Sequence, residues 1–394
     1  MRILHVSTGT NVGGAETLLC RLIAQTQSRG IASQVISLVS RGPIADDIER
    51  EGVRVVDLAV SRNYPSPSCL WRVAQIIRRF KPDAIHTWMY HANLIGGLAA
   101  ALVRQAPVIW GIHHTALLGR QNKRRTICVD RVSAALSRFV PYKIVYCARE
   151  ARRVHEARGY DPVKGQVIVN GVDTTVFRPD PTARLALRRE LAVADDCAIV
   201  GLASRYDPQK DHPNFIDAAS IVATRVKNVH FVLCGDGVDS NNHQLTSAIW
   251  RSNLVDRVHL LGRVAAMPRL LAAWDVACSS SYGEALPVAI LEAMSCGVPC
   301  VVTAVGDLAE VVCGAGLVVP PHRPRALAEA IESLLLSDPT RLRQLSDSSR
   351  HRVEDRYSLS QMTDGYLALY AEAAGSAFSS RTSRGTSRWR FGRS

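Results

Sequence analysis

The chain lacks several features that would decide its class at once. Its longest apolar run, LIGGLAAALV at 94–103, is about half of what a membrane-spanning helix needs. The start, MRILHVSTGT, passes from a short apolar stretch straight into a glycine-containing loop. It has neither the longer apolar core nor the small-residue cleavage site of a signal peptide, so it predicts a protein that stays in the cytoplasm. No loop carries the G-x-G-x-x-G spacing of a dinucleotide fingerprint, which speaks against a nicotinamide cofactor. Ten cysteines are scattered along the chain. The one close pair, Cys296 and Cys300 around a Gly-Val-Pro turn, has no second pair or histidine at zinc spacing. Free, buried thiols in a reducing compartment are the expectation.

Lysine is scarce as well, at six against 42 arginines, yet the formal net charge is +13. Such a balance fits a nucleic acid, an anionic membrane surface or an anionic substrate without choosing among them. The basic residues are dispersed and no aromatic-interleaved patch accompanies them, so a nucleic-acid-binding protein is the weaker alternative. At 394 residues, 47% apolar and 21% charged, the composition is that of an ordinary globular chain too long for one core. Two domains follow.

Residues 1–172 alternate short β-rich runs (RILHVS, SQVISLV, VRVVDL, DAIHTW, PVIWGI, KIVYCA, QVIVN) with amphipathic stretches such as 15–29 and 71–79. This pattern predicts a parallel, doubly wound sheet. The stretch NGVDTTVFRPDPTA at 170–183 combines a turn dipeptide with two prolines and reads as the linker. Alternation restarts in residues 173–356: CAIVGLAS, helix 212–226, VHFVLCGDG, helix 243–252, RVHLLG, a short helix at 268–273, DVACSS, helix 286–296, PCVVTA, GLVVP and helix 323–336. A last helix, 357–375, is expected to pack back on the first domain, and 376–394 reads as a disordered basic tail. The predicted class is α/β, with two doubly wound domains facing a central cleft. Ligands of such sheets bind at the carboxyl ends of the strands.

Candidate residues cluster in those strand-end loops. Arg205 and Lys210 follow the strand AIVGLAS, where an arginine clamps phosphate oxygens and a lysine adds a point charge. A solvated basic loop is the plainer alternative. In GEALPVAILEAMSCG, at 283–297, Pro287 suits a first helical turn and Gly297 with Pro299 a helix stop. Laid on one helix, Glu284 and Glu292 stand about 12 Å apart along the axis. Glycosidase carboxylates lie about 5–9.5 Å apart, so the longer spacing suits one carboxylate for each of two hydroxyl-bearing rings, with phosphates between. For Glu292 the plain alternative is an exposed helical glutamate. Gly306 and Asp307 lead from a strand into a helix; Gly13 and Gly14 open the first helix and allow close backbone approach to an anion. His113 and His114 end another strand.

In this order, a Gly-Gly loop, a strand-end histidine, an Asn-Gly-Val-Asp linker, Arg-x4-Lys and Glu-x7-Glu followed by GVPCV, the chain resembles the retaining glycosyltransferases of family four. The likeness covers residues 1 to about 375. It implies the GT-B fold and transfer of a sugar from a nucleoside-diphosphate sugar with retention at the anomeric carbon. Arg205 and Lys210 would hold the diphosphate, Glu284 the donor sugar, Glu292 the ribose, and His113 would lie beside the transferred sugar. Gly13, Gly14, Gly306, Asp307 and Leu286 would line the donor. No Asp-x-Asp occurs, which fits a site without metal, and no cofactor is expected. The family's usual glycine pair is Gly306-Asp307 in this chain, and His114 stands where an Asp is frequent. A glycan or lipid-linked acceptor, in surface or extracellular polysaccharide assembly, is the implied partner. GRQNKRRTICVDRVSAALSRFVPYK, at 119–143, mixes arginines with an apolar face as an interfacial helix does, which predicts docking on an anionic inner-membrane surface. Nucleotide-sugar epimerisation and glycogen-type phosphorolysis are the rivals on the same architecture, the second needing a Schiff-base lysine in a cofactor loop.

Overall fold

A computed structural model describes the backbone of residues 1–60, 67–115 and 124–386, and the side chains of these except residues 67 and 377–386. The chain divides into two compact units, Met1–Asn170 with the segment from Ser360 onward, and Gly171–Leu359.

The first unit holds strands β1 (Arg2–Ser7), β2 (Ala32–Ser37), β3 (Val55–Asp57), β4 (Ala84–Trp88), β5 (Val108–Ile112), β6 (Lys143–Tyr146) and β7 (Gly165–Val167), joined by α1 (Gly14–Gln27), α2 (Pro43–Arg50), α3 (Pro67–Phe80), α4 (Tyr90–Val103), α5 (Arg124–Leu136) and α6 (Arg149–Ala157). Its sheet order is β3-β2-β1-β4-β5-β6-β7, parallel throughout. The second unit holds α7 (Pro181–Glu190), β8 (Ala198–Ala203), α8 (His212–Arg225), β9 (Val229–Cys234), α9 (His243–Arg251), β10 (Val258–Leu260), α10 (Met267–Ala272), β11 (Val276–Ser279), α11 (Val288–Ser295), β12 (Cys300–Thr303), α12 (Leu308–Val311), β13 (Gly316–Val319), α13 (Pro324–Leu335) and α14 (Pro339–Arg356). The order β10-β9-β8-β11-β12-β13 is again parallel. Both sheets reverse their winding at the first strand, between β1 and β4 and between β8 and β11. That reversal is where a doubly wound sheet opens a crevice at its carboxyl edge.

The strand runs read from the sequence all form strands, because a parallel sheet covered on both faces needs continuous apolar segments. Val200, Phe231 and Val301 of the second sheet are fully buried, with Phe215 of α8 and Ile331 of α13 packed on them; Phe215 meets Phe231 edge to face at 6.1 Å. The apolar run 94–103 lies in α4, whose Ala92, Gly96, Ala99 and Ala100 are buried, so it is a core helix. Among the described residues no helix is long and apolar enough to cross a membrane.

The last helix differs from expectation. α15 runs from Leu359 to Thr386, so the backbone of 376–386 continues the helix where an aperiodic tail was read. The segment contains no proline, and single glycines weaken a helix without ending it; 387–394 lie outside the described residues. Tyr366, Leu369, Tyr370 and Ala373 are buried, the i, i+3, i+4, i+7 stripe of a helix on a core. Arg29 holds Asp364 and donates to Ser360 at 3.1 Å, which ties α15 to the first unit.

Candidate functional site

In the second unit the loops after β8 and β11 meet at the winding reversal. The chain leaves β8 with the Ser204 amide bonded to Cys234 O and the Tyr206 amide to Asp236 O. Asp207 then accepts from the Gln209 amide at 3.0 Å and caps one 3₁₀ turn, Pro208–Lys210. Asp211, in the left-handed region at φ 50°, caps α8. This double capping leaves Lys210 little backbone freedom. Ser280 Oγ donates to its carbonyl at 2.8 Å and the Tyr282 amide to Gln209 O at 2.9 Å, so the two loops form one surface.

Across that surface Lys210 Nζ pairs with Glu284 Oε1, which also accepts from Ser281 Oγ at 2.7 Å. The two side chains are 19% and 10% exposed, so most of their water is gone and each charge depends on the other. The loop after β12 closes behind them: the Asp307 amide donates to Ala285 O at 3.1 Å. Gly306 has φ +55°, and a Cβ there would lie 2.5 Å from both Glu284 O and Ala285 O, so this approach requires glycine. Ser204, Lys210, Ser281, Glu284, Pro287 and Ile290 line the resulting pocket.

Lys210, Glu284, Gly306 and Asp307 are therefore brought together, with Leu286 buried in the same loop. Arg205 is not part of that group: it is 60% exposed and pairs with Asp207 at 3.3 Å. The geometry assumed for the two glutamates needs correction. α11 begins at Val288 with Pro287 as its N-cap, so Glu284 stands in the loop and helical rise accounts for only about 6 Å of the separation. The proline ring keeps the residue before it, Leu286, out of helical conformation, and Pro287 itself is extended at ψ 113°, so the helix starts only after it. Glu292 is 7% exposed, which removes the exposed-glutamate alternative. With burial as the larger cause, its charge helps push the thiols of Cys234 and Cys296 up to about 12. The ten cysteines are free thiols, most of them buried.

Sequence reasoning missed the serines. Ser280 and Ser281 fix the pair, and the SSS run directly after a strand was the available signal. It also missed the His322 contact with Asp211 at 2.7 Å and the packing of that imidazole on Tyr282, 4.7 Å between centroids. These side chains come from loops far apart in sequence, and no spacing reveals them.

In the first unit Gly13 is the N-cap of α1, in extended conformation, with no side-chain cap bond. Around Gly14 a Cβ would find no atom within 4 Å, whereas at Gly13 it would meet the Glu16 carboxylate. The first turn of α1 is thus open on one side, and Glu16 lies over its positive end. His113 follows β5, its ring stacked on Trp88 at 4.8 Å and 9°. Burial lowers its pKa to about 4, opposed by the Asn170 side chain, which favours the protonated ring, so the imidazole is neutral near pH 7. Among the described residues no three His, Cys, Asp or Glu side chains are grouped to hold a metal ion.

Two family models match the chain, one described as Glycosyltransferase Family 4 over residues 12–176 and one as Glycosyl transferases group 1 over residues 197–337. A D-inositol 3-phosphate glycosyltransferase of Rhodococcus erythropolis is 26% identical over 97% of this chain and 93% of its own length. One of Mycobacterium bovis is 30% identical over 77% of this chain and 64% of its own, so the chain spans less than two thirds of that relative. Among solved structures, HepE of Anabaena in complex with UDP and glucose superposes with a TM-score of 0.83 at 22% identity, over 94% of this chain and 100% of that one. At that identity the likeness is one of fold.

Proposed function

The chain belongs to the group 1 glycosyltransferases of family four, two Rossmann-like domains of the GT-B fold, and from that premise we propose that it moves a sugar from a nucleoside-diphosphate sugar to an acceptor hydroxyl with retention. The Lys210–Glu284 pair at the β8/β11 reversal carries the reading. It presents a lysine for diphosphate oxygens and a carboxylate for sugar hydroxyls within one pocket. A preorganised cation beside the leaving group stabilises the charge that grows there. Arg205, extended into solvent, closes on the same phosphates, and the two cations make a metal unnecessary. Glu292 takes the ribose. Gly13, Gly14, Gly306, Asp307 and Leu286 line the donor, and His113 bonds a hydroxyl of the transferred sugar as a neutral imidazole.

The step is a front-side displacement: the bond from the anomeric carbon to the phosphate oxygen breaks, the acceptor oxygen bonds on the same face, and the hydroxyl proton passes to the departing phosphate. The UDP and glucose named with HepE favour a uridine donor. For the acceptor we propose a glycan or lipid-linked glycan in surface polysaccharide assembly; the inositol phosphate relatives favour a second reading, a small phosphorylated polyol. Incubation with UDP-, GDP- and ADP-glucose and both acceptor classes, followed by proton NMR of the product, tests this. An axial donor linkage must give an axial product linkage, and inversion ends the retaining assignment.

We further propose a cytoplasmic protein that docks on anionic membrane. On α5 and the turn after it Arg124, Arg125, Arg131 and Arg138 are exposed and Phe139 is 81% exposed. The one acid there, Asp130, is buried and accepts from Tyr160 at 2.9 Å. Residues 119–123 of the proposed interfacial segment lie outside the described residues. Sedimentation with phosphatidylglycerol vesicles at low salt decides it: a protein left in the supernatant rules docking out.

A further inference from the structure

His113 is the outermost of a set of stacked rings on one face of the first sheet. β1 and β4 pair with His5 opposite His86, and Trp88, two residues on, emerges on the same face. α15 closes that face with Tyr366 and Tyr370, both buried. The Trp88 indole, 1% exposed, packs against two imidazoles, His113 at 4.8 Å and 9° and His86 at 4.5 Å and 35°. Its Nε1 donates to His5 Nδ1 at 3.3 Å, and His86 Nδ1 shares a hydrogen bond with Tyr370 Oη at 2.7 Å.

The backbone beside it is equally constrained. Met89 has φ 73° and ψ 165°, a region a residue with a side chain occupies only where its surroundings impose it. Its amide donates to Gly111 O and its carbonyl accepts from the Asn93 amide, so the end of β4 is locked to β5 directly below His113.

We propose that Trp88 is the positioning residue for His113: the indole is the platform that sets the plane of the imidazole, held in turn by His5 and by the His86–Tyr370 pair. The inference rests on the reading of His113 as the group beside the transferred sugar. A purely core-filling role would be met by any large apolar side chain. The near-parallel stack and the N–H given to His5 are particular to an indole.

The groups around His113 are His86 and His5 from the strands, its neighbour His114, Asn170, Cys147 after β6, and Tyr366 and Tyr370 from α15. Burial pushes His5 to about 3 and His86 well below the usual imidazole range, and raises both tyrosines. His5, His86, Tyr366 and Tyr370 therefore stay neutral between pH 5 and 8, so the side chains packed about Trp88 hold one hydrogen-bonding state across that range.

The test uses the full chain with Trp88→Leu, Trp88→Phe and His113→Gln, carbon-13-labelled at histidine, with UDP-, GDP- and ADP-glucose hydrolysis as the turnover probe. In Trp88→Leu water reaches the ring, and the His113 titration is expected to climb toward about 6.5, the free imidazole value. At pH 5.5 that leaves about a tenth of the rings neutral, so kcat falls about tenfold there while KM stays within about twofold. Trp88→Phe keeps a platform and is expected to move His113 by less than about one unit. A folded Trp88→Leu protein with His113 titrating as in the parent overturns the proposal. If Trp88→Leu does not fold, His5→Phe removes the acceptor of the indole N–H, and an unmoved His113 in that protein overturns it equally. If Trp88→Leu shifts the titration but His113→Gln turns over at the parent rate, the platform stands and the sugar-side reading of His113 falls.

Discussion

Replacing Lys210 by methionine keeps most of the side-chain volume and removes the charge. Two consequences follow from the geometry, and they differ in size. For stability, Glu284 is left 10% exposed, still accepting from Ser281 in the pocket but without its counter-charge. A fully buried pair broken in this way costs about 3–5 kcal/mol. The lysine is 19% exposed and the crevice opens to water, so a cost of about 1–2 kcal/mol is expected, a fall in Tm of about 2–8 °C. Glu284→Gln in the same background gives back part of it, because a neutral amide needs no counter-charge. The double-mutant cycle should show a coupling of about 1–3 kcal/mol. For catalysis the loss is larger: a preorganised donor at the leaving group is worth about 10²–10³ in kcat. Steady-state donor turnover and calorimetric melting on the parent, both single variants and the double variant supply every number. A variant with kcat within about threefold of the parent, or a cycle that closes to within about 0.3 kcal/mol, would refute the reasoning, because Lys210 would then act neither on the leaving group nor on Glu284.

Three further outcomes follow from packing and burial. Gly201→Ala would place a Cβ 1.9 Å from the Trp274 ring; overpacking of this kind costs about 1–3 kcal/mol or more, read as a lowered urea midpoint, and an unchanged midpoint would contradict the contact. Asp275→Asn removes the counter-charge from Arg188, fully buried and bonded to Asp275 at 2.6 Å. Because the amide oxygen still accepts, Asp275 is 22% exposed and the Cys197 and Ala273 carbonyls also hold the guanidinium, the cost should be about 1–3 kcal/mol; a Tm within about 1 °C of the parent would show that this charge pair is not needed. His155 and His212 are held at about 4 by burial. An unfolded imidazole takes up its proton below about 6.5, so their stabilisation is complete above that pH and is lost as pH falls from 6.5 to about 4, on the order of 3 kcal/mol each. Melting temperatures flat between pH 7 and 4.5 would contradict it, and His155→Phe should reduce the slope.

The strands were legible because a buried parallel strand is a continuous apolar run, and RILHVS, CAIVGLAS and PCVVTA state it plainly. α4 was not: Ala92, Gly96, Ala99 and Ala100 form its buried face, but Leu94, Ile95, Leu98 and Leu102 on the other side are apolar as well, so no polar stripe marks its period. α2 had a signal that went unread, Pro43 at its first turn and Ile44, Ala45 and Ile48 along one face. In the site, the strand-end position of Lys210 and Glu284 follows from alternation alone. That they touch depends on the β8/β11 adjacency, a matter of topology, and on the serines after β11. The late start of α11 turned on whether Pro287 stood in the first turn or at the cap, one residue that periodicity does not resolve. The burial of Glu292 was hidden because α11 is covered nearly all round, from Ile290 to Ser295.

The central claim, a nucleoside-diphosphate-sugar site on the second domain, is tested most directly by calorimetric titration of UDP, GDP, ADP and CMP into metal-free protein, repeated with Arg205→Ala and Glu292→Ala. The account predicts that one diphosphate binds and that each substitution weakens it at least about tenfold, 1.4 kcal/mol. Binding of none of them, or equal binding by both variants and the parent, would contradict it.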